Sequence, residues 1–389
     1  MNSERIIIFG AGKFGQNALA EYGESKVDGF IDNNPRKAGT VVKDKPVYLA
    51  EEYLKNNQDA CVMVVGRYSK EMIEQLKVLG HENYFVYLPK TTPYFPEDVL
   101  IFNGYEHKIE AQTEAEYNLF LKSEGQRDFY EYHNMCIDNN YREPKLFDHI
   151  EIETYNRCNG GCSFCPVSVR NESRTEKKME WELFEKIINE LAEIDYTGKI
   201  ALFSNNEPLL DDRIIEMHKF ARSKLGKARF HLFTNGTLLT KEIYLELIKY
   251  LDELIIDNYN QSLDLIKSNK EIAEFCKDKP EYIKKTTIVL RKPNEILTSR
   301  GGTAPNRKDK LSLADAKCIL PYRQMIVRPD GKVSLCCNDP LGKNTLGDLN
   351  EESLLQVWYG EKFNEVRKRI SQGRTNWPYC VNCDVIATG

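Results

Sequence analysis

Apolar residues along this chain recur in two rhythms. Short runs rich in Ile, Val, Leu and Phe are separated by longer stretches whose apolar residues fall three and four apart, an alternation of strand and helix that argues for a parallel sheet with crossover helices. From residue 149 the strand-like runs are Ile150–Thr154, Ile200–Ser204, Arg229–Thr234, Glu253–Asp257, Thr286–Leu290 and Gln324–Val327. Helical stretches near 179–193, 211–224, 240–250 and 262–277 lie between them. An α/β region built this way keeps its chemistry at the carboxyl ends of the strands.

The first 90 residues repeat the alternation on a smaller scale, with three or four strands. Arg5–Phe9 is an apolar strand, Gly10-Ala11-Gly12-Lys13-Phe14-Gly15 opens a helix through Leu19, Val27–Ile31 ends in Asp32, and Ala60–Val65 ends in Gly66. In the nucleotide-binding form of this arrangement the glycines let the backbone approach a phosphate, and the acid after the second strand receives a ribose hydroxyl. Gly10, Gly12, Gly15 and Asp32 occupy those places, for a nucleotide or nucleotide sugar; a scaffold without ligand is the other reading. With its Gly29–Pro35 stretch the region resembles the small Rossmann-like domain at the front of sugar-modifying acyltransferases. Residues 91–148 read as a helical connector, opened by a proline-punctuated break and carrying a charged helical pattern from Ala111 to Tyr132. The expected domains are therefore 1–90, the connector 91–148, a core at 149–310 and a C-terminal region at 311–389.

At 389 residues and 45.1 kDa the chain is long enough for two to three domains. Its net charge of -5 comes from well-mixed acids and bases, with no Lys/Arg tract to attract nucleic acid. No apolar run approaches membrane-spanning length and no signal peptide is recognisable, so a cytoplasmic protein is expected, with neither membrane nor nucleic acid as partner. Eleven cysteines then need an account other than disulfides. Seven fall into two spaced groups. Cys61, in an apolar strand, reads as a small buried hydrophobe, and Cys136 and Cys276 carry no assigned role.

The first group is Cys158, Cys162 and Cys165, at offsets 0, 4 and 7 on a glycine-rich loop that follows the strand Glu151–Tyr155. Three thiolates so spaced can hold three irons of a [4Fe–4S] cubane and leave the fourth iron open to a small molecule. A zinc loop would normally bring a partner pair of ligands. The loop, C-x3-C-x-(aromatic)-C, resembles that of the radical S-adenosylmethionine (SAM) superfamily. That resemblance covers about residues 148–385. It implies a partial (β/α)6 barrel, with SAM on the open iron and Phe164 beside the adenine. It places Asn205, Asn206, Glu207 and Pro208 where the family has a Gly-Gly-Glu-Pro-like turn at the SAM amine. Thr234, Asn235 and Gly236 fall near the ribose, and Asp257 and Asn258 near the ribose or substrate. Arg300, after the fifth strand, reads either as a clamp on a carboxylate or as part of a surface loop.

The second group is Cys318, Cys336, Cys380 and Cys383. Residues 326–335 read as a β-hairpin turning at Asp330-Gly331, which brings Cys318 and Cys336 together, and the C-x2-C pair follows downstream. Four thiolates suit either zinc or a fully ligated iron–sulfur cluster. The arrangement resembles the truncated "twitch" form of the SPASM extension, which implies one auxiliary [4Fe–4S] cluster. Cys337 should point to the opposite side of the hairpin from Cys336. It reads as a buried thiol or, more sharply, as a hydrogen-atom donor.

By the same resemblance the reaction begins with reductive cleavage of SAM to a 5'-deoxyadenosyl radical, which takes a hydrogen atom from substrate. With a second cluster nearby, loss of an electron and a proton gives net two-electron oxidation, as in the radical SAM dehydrogenases of aminoglycoside pathways. Peptide modification, epimerisation and decarboxylation are alternatives within the superfamily, and an iron–sulfur electron-transfer protein is the alternative of another class. The α/β region in front weighs toward a sugar, nucleotide sugar or similar small molecule as substrate. A flavodoxin or ferredoxin is the expected reductant; the oligomeric state is not legible.

Overall fold

The alternation of strand and helix is realised as two parallel sheets, each in its own unit. The computed structural model describes residues 6–66, 68–87, 95, 98–106, 113–122, 124–141, 144–309, 313 and 316–385. Residues 1–92 with 122–143 form one unit, and residues 93–121 with 144–387 the other.

The first unit runs β1 (Ile6–Phe9), α1 (Lys13–Tyr22), β2 (Val27–Asp32), β3 (Val41–Val42), β4 (Lys45–Leu49), α2 (Ala50–Asn56), β5 (Cys61–Val64), α3 (Ser69–Val78) and β6 (Tyr84–Val86). Its six strands are ordered β3-β4-β2-β1-β5-β6, parallel except for β3. That exceeds the three or four strands expected, because β3, β4 and β6 are short or carry proline. Ile7 and Phe9 pack into one apolar cluster and Ile8 into another, so β1 is covered on both faces. This is why its sequence is a continuous apolar run.

The second unit opens with β7 (Ile101–Phe102) and α4 (Glu114–Leu121). The next helix, α5 (Glu124–Asn140), belongs to the first unit, where the buried Cys136 thiol lies 3.8 Å from the Tyr87 carbonyl. The stretch expected as a connector thus contributes to both units. Then follow β8 (His149–Ile152), α6 (Trp181–Glu193), β9 (Lys199–Ala201), α7 (Ile214–Lys224), β10 (Arg229–Thr234), α8 (Lys241–Leu247), β11 (Glu253–Tyr259), α9 (Lys267–Cys276), α10 (Pro280–Ile283) and β12 (Thr286–Arg291). The chain ends through α11 (Leu320–Arg323), β13 (Gln324–Val327), β14 (Lys332–Ser334), β15 (Thr345–Asp348), α12 (Leu354–Trp358) and α13 (Glu361–Ile370).

The sheet order is β15-β14-β13-β8-β9-β10-β11-β12-β7. The six expected strands, β8 to β13, are parallel neighbours, and β7 adds a seventh parallel strand beside β12. The β13–β14 hairpin is antiparallel and turns at Gly331, whose φ of +82° suits glycine.

Register decides what each face carries. His149 pairs with Lys199 and Gln324, Lys199 with Arg229, and His231 with Glu253. By the two-residue period, Glu151, Phe203, Phe233, Asp257 and Tyr259 therefore share one face. The other face carries Ile150, Ile152, Ile200, Leu202, Phe230 and Leu232, all in the main apolar core. Helix α6 meets that core with Leu183, Phe184, Ile187, Ile188 and Leu191, the three-and-four spacing of an amphipathic helix. The helix side is greasy and the barrel interior is polar, which leaves the interior for chemistry.

Candidate active site

A cavity of about 340 Å³ opens where the interior faces of β8 to β11 reach their carboxyl ends. Cys158, Cys162, Cys165 and Phe164 line one side of it, and Asn205, Asn206, Glu207, Thr234, Asn235 and Asp257 line others. Glu151, Phe203, Phe233, Tyr259 and Arg300 also line it. Burial pushes the Cys158 thiol up to about 11 and the Cys162 thiol up to about 12. Such thiols ionise only against a cation, and three of them with no other soft donor fit an iron–sulfur cluster.

The cysteine loop is stitched to the strand ends beside it. Asn235 Nδ2 donates to Asn159 Oδ1 at 2.7 Å, and Asn159 Nδ2 to Thr237 Oγ1 at 2.9 Å. The Glu207 carboxylate accepts from Thr234 Oγ1 at 2.6 Å, Asn235 N at 2.7 Å and Leu209 N at 3.1 Å. Glu207 thereby ties the turn after β9 to the turn after β10. Arg174 anchors the same region, with Nη1 on Glu153 Oε1 and Nη2 on the Asn205 carbonyl, each at 3.0 Å. Gly236 has φ +73°, and a Cβ there would lie 1.9 Å from Asn269 Oδ1, so only glycine fits.

Three expected residues, Asn258, Pro208 and Gly236, lie outside the cavity wall. Asn258 faces away from the cavity, since its neighbour Asp257 faces in. Its amide is spent on the following loop, accepting from Ile266 N at 2.9 Å and Asn269 Nδ2 at 3.0 Å and donating to the Asp264 carbonyl at 3.0 Å. Pro208 is buried in the short turn that follows Glu207 and, like Gly236, is outside the cavity wall. In the first unit Gly10, Gly12, Gly15 and Asp32 do meet at one turn. A Cβ on Gly15 would lie 1.9 Å from the Gly10 carbonyl oxygen. The Asp32 carboxylate, however, accepts from Ala11 N, Asn34 N and Lys37 Nζ at 3.0, 2.9 and 2.8 Å. Burial opposes its charge, but Lys37 and those amides outweigh burial and hold its carboxyl below the usual range.

Sequence reasoning passed over Glu151. Its carboxylate accepts from Ser204 Oγ at 2.6 Å and from Gln324 Nε2 at 2.7 Å. Burial raises it to about 7, against the pull of the Ser204 hydrogen bond and Arg300. The signal was present in the alternation Ile150-Glu151-Ile152-Glu153, where two acids share the interior face of a core strand.

The second thiol group closes on itself. Cys318, Cys336, Cys380 and Cys383 line one small apolar-walled cavity, together with Arg374 and Tyr379. Among the described residues no His, Cys, Asp or Glu set could hold a single metal ion. Four thiols facing a shared void suit a cubane, a wider object than one zinc. Burial pushes the Cys336, Cys380 and Cys383 thiols up as well. Cys337 is outside that cavity. Its N–H donates to Gln324 Oε1 at 3.3 Å and its carbonyl accepts from Asn205 Nδ2 at 3.2 Å.

The loop carrying Arg300 is fixed by this region. Ser299 N donates to Asp384 Oδ1 at 2.6 Å and Ser299 Oγ to the Asn382 carbonyl at 2.7 Å. Arg307 Nη1 pairs with Asp384 Oδ2 at 2.9 Å. Arg300, at φ +48°, then reaches the first cavity, where its Nη2 donates to Asn205 Oδ1.

Comparison with known proteins agrees with this geometry. Residues 152–292 match the model of the Radical SAM superfamily, and residues 318–384 match SPASM, an iron–sulfur cluster-binding domain. The S-adenosyl-L-methionine-dependent 2-deoxy-scyllo-inosamine dehydrogenase of Niallia circulans is 27% identical over 250 residues, covering 62% of this chain and 95% of that protein. Among solved structures, BtrN in complex with AdoMet and 2-DOIA superposes with a TM-score of 0.54 at 24% identity, over 63% of this chain and 95% of BtrN, and shares its fold. A radical SAM domain is thus followed by a SPASM domain, and the cofactors they imply are a [4Fe–4S] cluster, SAM and an auxiliary cluster. With the thiol triad at the strand ends and four more thiols around a second cavity, the chain is a radical SAM enzyme with an auxiliary-cluster domain.

Proposed function

We propose that this enzyme oxidises a secondary alcohol of a small polyhydroxylated metabolite, a sugar, nucleotide sugar or cyclitol, to the ketone. One observation carries the reading: the cavity that holds the thiol triad also presents the buried carboxylate of Glu151, whose partner Gln324 reaches the backbone beside Cys336. The relative from Niallia circulans, a 2-deoxy-scyllo-inosamine dehydrogenase, supports the choice of reaction and substrate class.

In this reading Cys158, Cys162 and Cys165 hold the first cluster, and Cys318, Cys336, Cys380 and Cys383 the auxiliary one. Phe164 would lie against the adenine, the turn from Asn205 to Glu207 would meet the SAM amine, and Thr234 and Asn235 would meet the ribose. When bound, the clusters and SAM would supply one-electron removal of the carbinol hydrogen and an acceptor for the second electron. The protein does the rest. Arg300 orients a polar group of the substrate, and the Phe203 and Phe233 rings exclude water from the reacting carbon. Glu151 Oε takes the hydroxyl proton as the carbonyl forms, which completes a loss of two electrons and two protons. The reductant is a flavodoxin or ferredoxin, and the setting is the cytoplasm, where cysteine thiols stay reduced.

The test is anaerobic turnover with candidate polyols, following 5'-deoxyadenosine and the ketone together. Stoichiometric ketone supports the reading; deoxyadenosine with an epimerised substrate of unchanged mass would replace it.

A further inference from the structure

The second thiol site contains a charge that the four cysteines do not explain. Arg374 sits on a short turn after α13, is 1% exposed, and lines the same cavity as Cys318, Cys336, Cys380 and Cys383. Its Nη1 donates to the Cys383 carbonyl at 3.1 Å and its Nη2 to the Lys317 carbonyl at 3.2 Å. Its buried Nε has no hydrogen-bond partner among the described residues. None of the carboxylates in the described ion pairs reaches it, and the nearby Asp384 is held by Arg307 and Ser299.

A buried guanidinium without a counter-charge is strongly unfavourable. Neutral thiols do not supply that charge. Four thiolates around a [4Fe–4S] core do, because the assembly is a dianion when oxidised and a trianion after it gains one electron. The added negative charge is stabilised by a fixed cation and by N–H donors to sulfur, the two means by which a protein raises a cluster's potential.

We propose that Arg374 is the built-in counter-charge of the auxiliary cluster, with its Nε–H donated to a cluster sulfur, and that it raises the cluster's reduction potential so that the cluster can take the electron left on the substrate radical. The last clause rests on the dehydrogenase reading; the charge pairing does not. The electron count is one: the substrate radical is oxidised, the cluster is reduced, and the proton goes to Glu151. Arg374 tunes the acceptor and does not touch the substrate.

The experiment is a potentiometric titration of the reconstituted full chain, read by electron paramagnetic resonance. The auxiliary signal is assigned in a background where Cys158, Cys162 and Cys165 are alanine. Wild type is compared with Arg374→Gln and Arg374→Lys, with iron content measured for each. The expected result is that R374Q, at a fixed potential near the midpoint, shows a reduced-to-oxidised ratio at least tenfold lower, a shift of about 59 mV for one electron. R374K keeps the charge and should shift by much less. An unchanged midpoint in iron-replete R374Q would overturn the proposal. So would equal loss of iron from R374K and R374Q, which would make Arg374 a backbone staple. No substrate is present, so failure of the dehydrogenase reading leaves this outcome untouched.

Discussion

Gln324 donates through Nε2 to Glu151 Oε1 at 2.7 Å while its Oε1 accepts the Cys337 N–H at 3.3 Å, so one amide joins the reaction cavity to the loop after β14 that carries Cys336. The groups meant to receive the proton and the electron are thereby held in one fixed arrangement. The coupling is short because Gln324 and Glu151 lie on paired strands, β13 and β8.

Glu151 should therefore control the fate of the substrate radical and not its formation. Glu151→Gln is expected to keep 5'-deoxyadenosine formation and to lower ketone formation by about 10²–10³. Rapid-quench assay of both products checks this.

The pH dependence follows from the same carboxyl. His149 Nε2 lies 3.9 Å from it, and Glu153, Arg300 and Cys337 also face it electrostatically. His149 is lowered to about 3 and stays neutral, and Glu153, also raised to about 7 by burial, is bound by Arg174. An acceptor must be ionised, and Glu151 ionises as pH rises through about 7. Ketone per deoxyadenosine should rise roughly tenfold from pH 6 to pH 8 in wild type. It should be flat in E151Q, where Glu153 alone would still titrate.

Glu207 should be a structural tie as much as a cofactor contact. Glu207→Gln replaces one carboxylate oxygen by an NH₂ that faces either the Asn235 N–H or the Leu209 N–H and Thr234 Oγ1, leaving a buried donor unmatched at about 1–3 kcal/mol. Thermal unfolding should show a midpoint lower by several degrees, and Gly236→Ala should do at least the same, because its Cβ meets Asn269.

Much of this was legible in the sequence because ligands of one cluster lie close along the chain, and the six barrel strands are short apolar-rich runs separated by helical patterns. Asn258 was placed at the cofactor by its position at a strand end, where the pleat turns Asp257 in and Asn258 out. β7 was missed because two residues carry no period and its pairing with β12 spans most of the unit. Arg374 sits in a polar stretch, Gly373-Arg374-Thr375-Asn376, and only the fold brings it to Cys318 and Cys336.

The second cysteine group makes a count. Cys383→Ala should lose about four irons per chain, the content of one cubane, and Cys337→Ala should lose none. Iron and sulfide analysis after anaerobic reconstitution distinguishes a ligand from a neighbour.

The most direct test of the account is anaerobic reduction of the reconstituted enzyme with SAM and a panel of sugars, nucleotide sugars and aminocyclitols, scored by mass. The account requires 5'-deoxyadenosine in equal amount to a product about two daltons lighter than one member of the panel, the signature of two-electron alcohol oxidation. Absence of 5'-deoxyadenosine from iron-replete, reduced enzyme across polyols and peptides alike would contradict it.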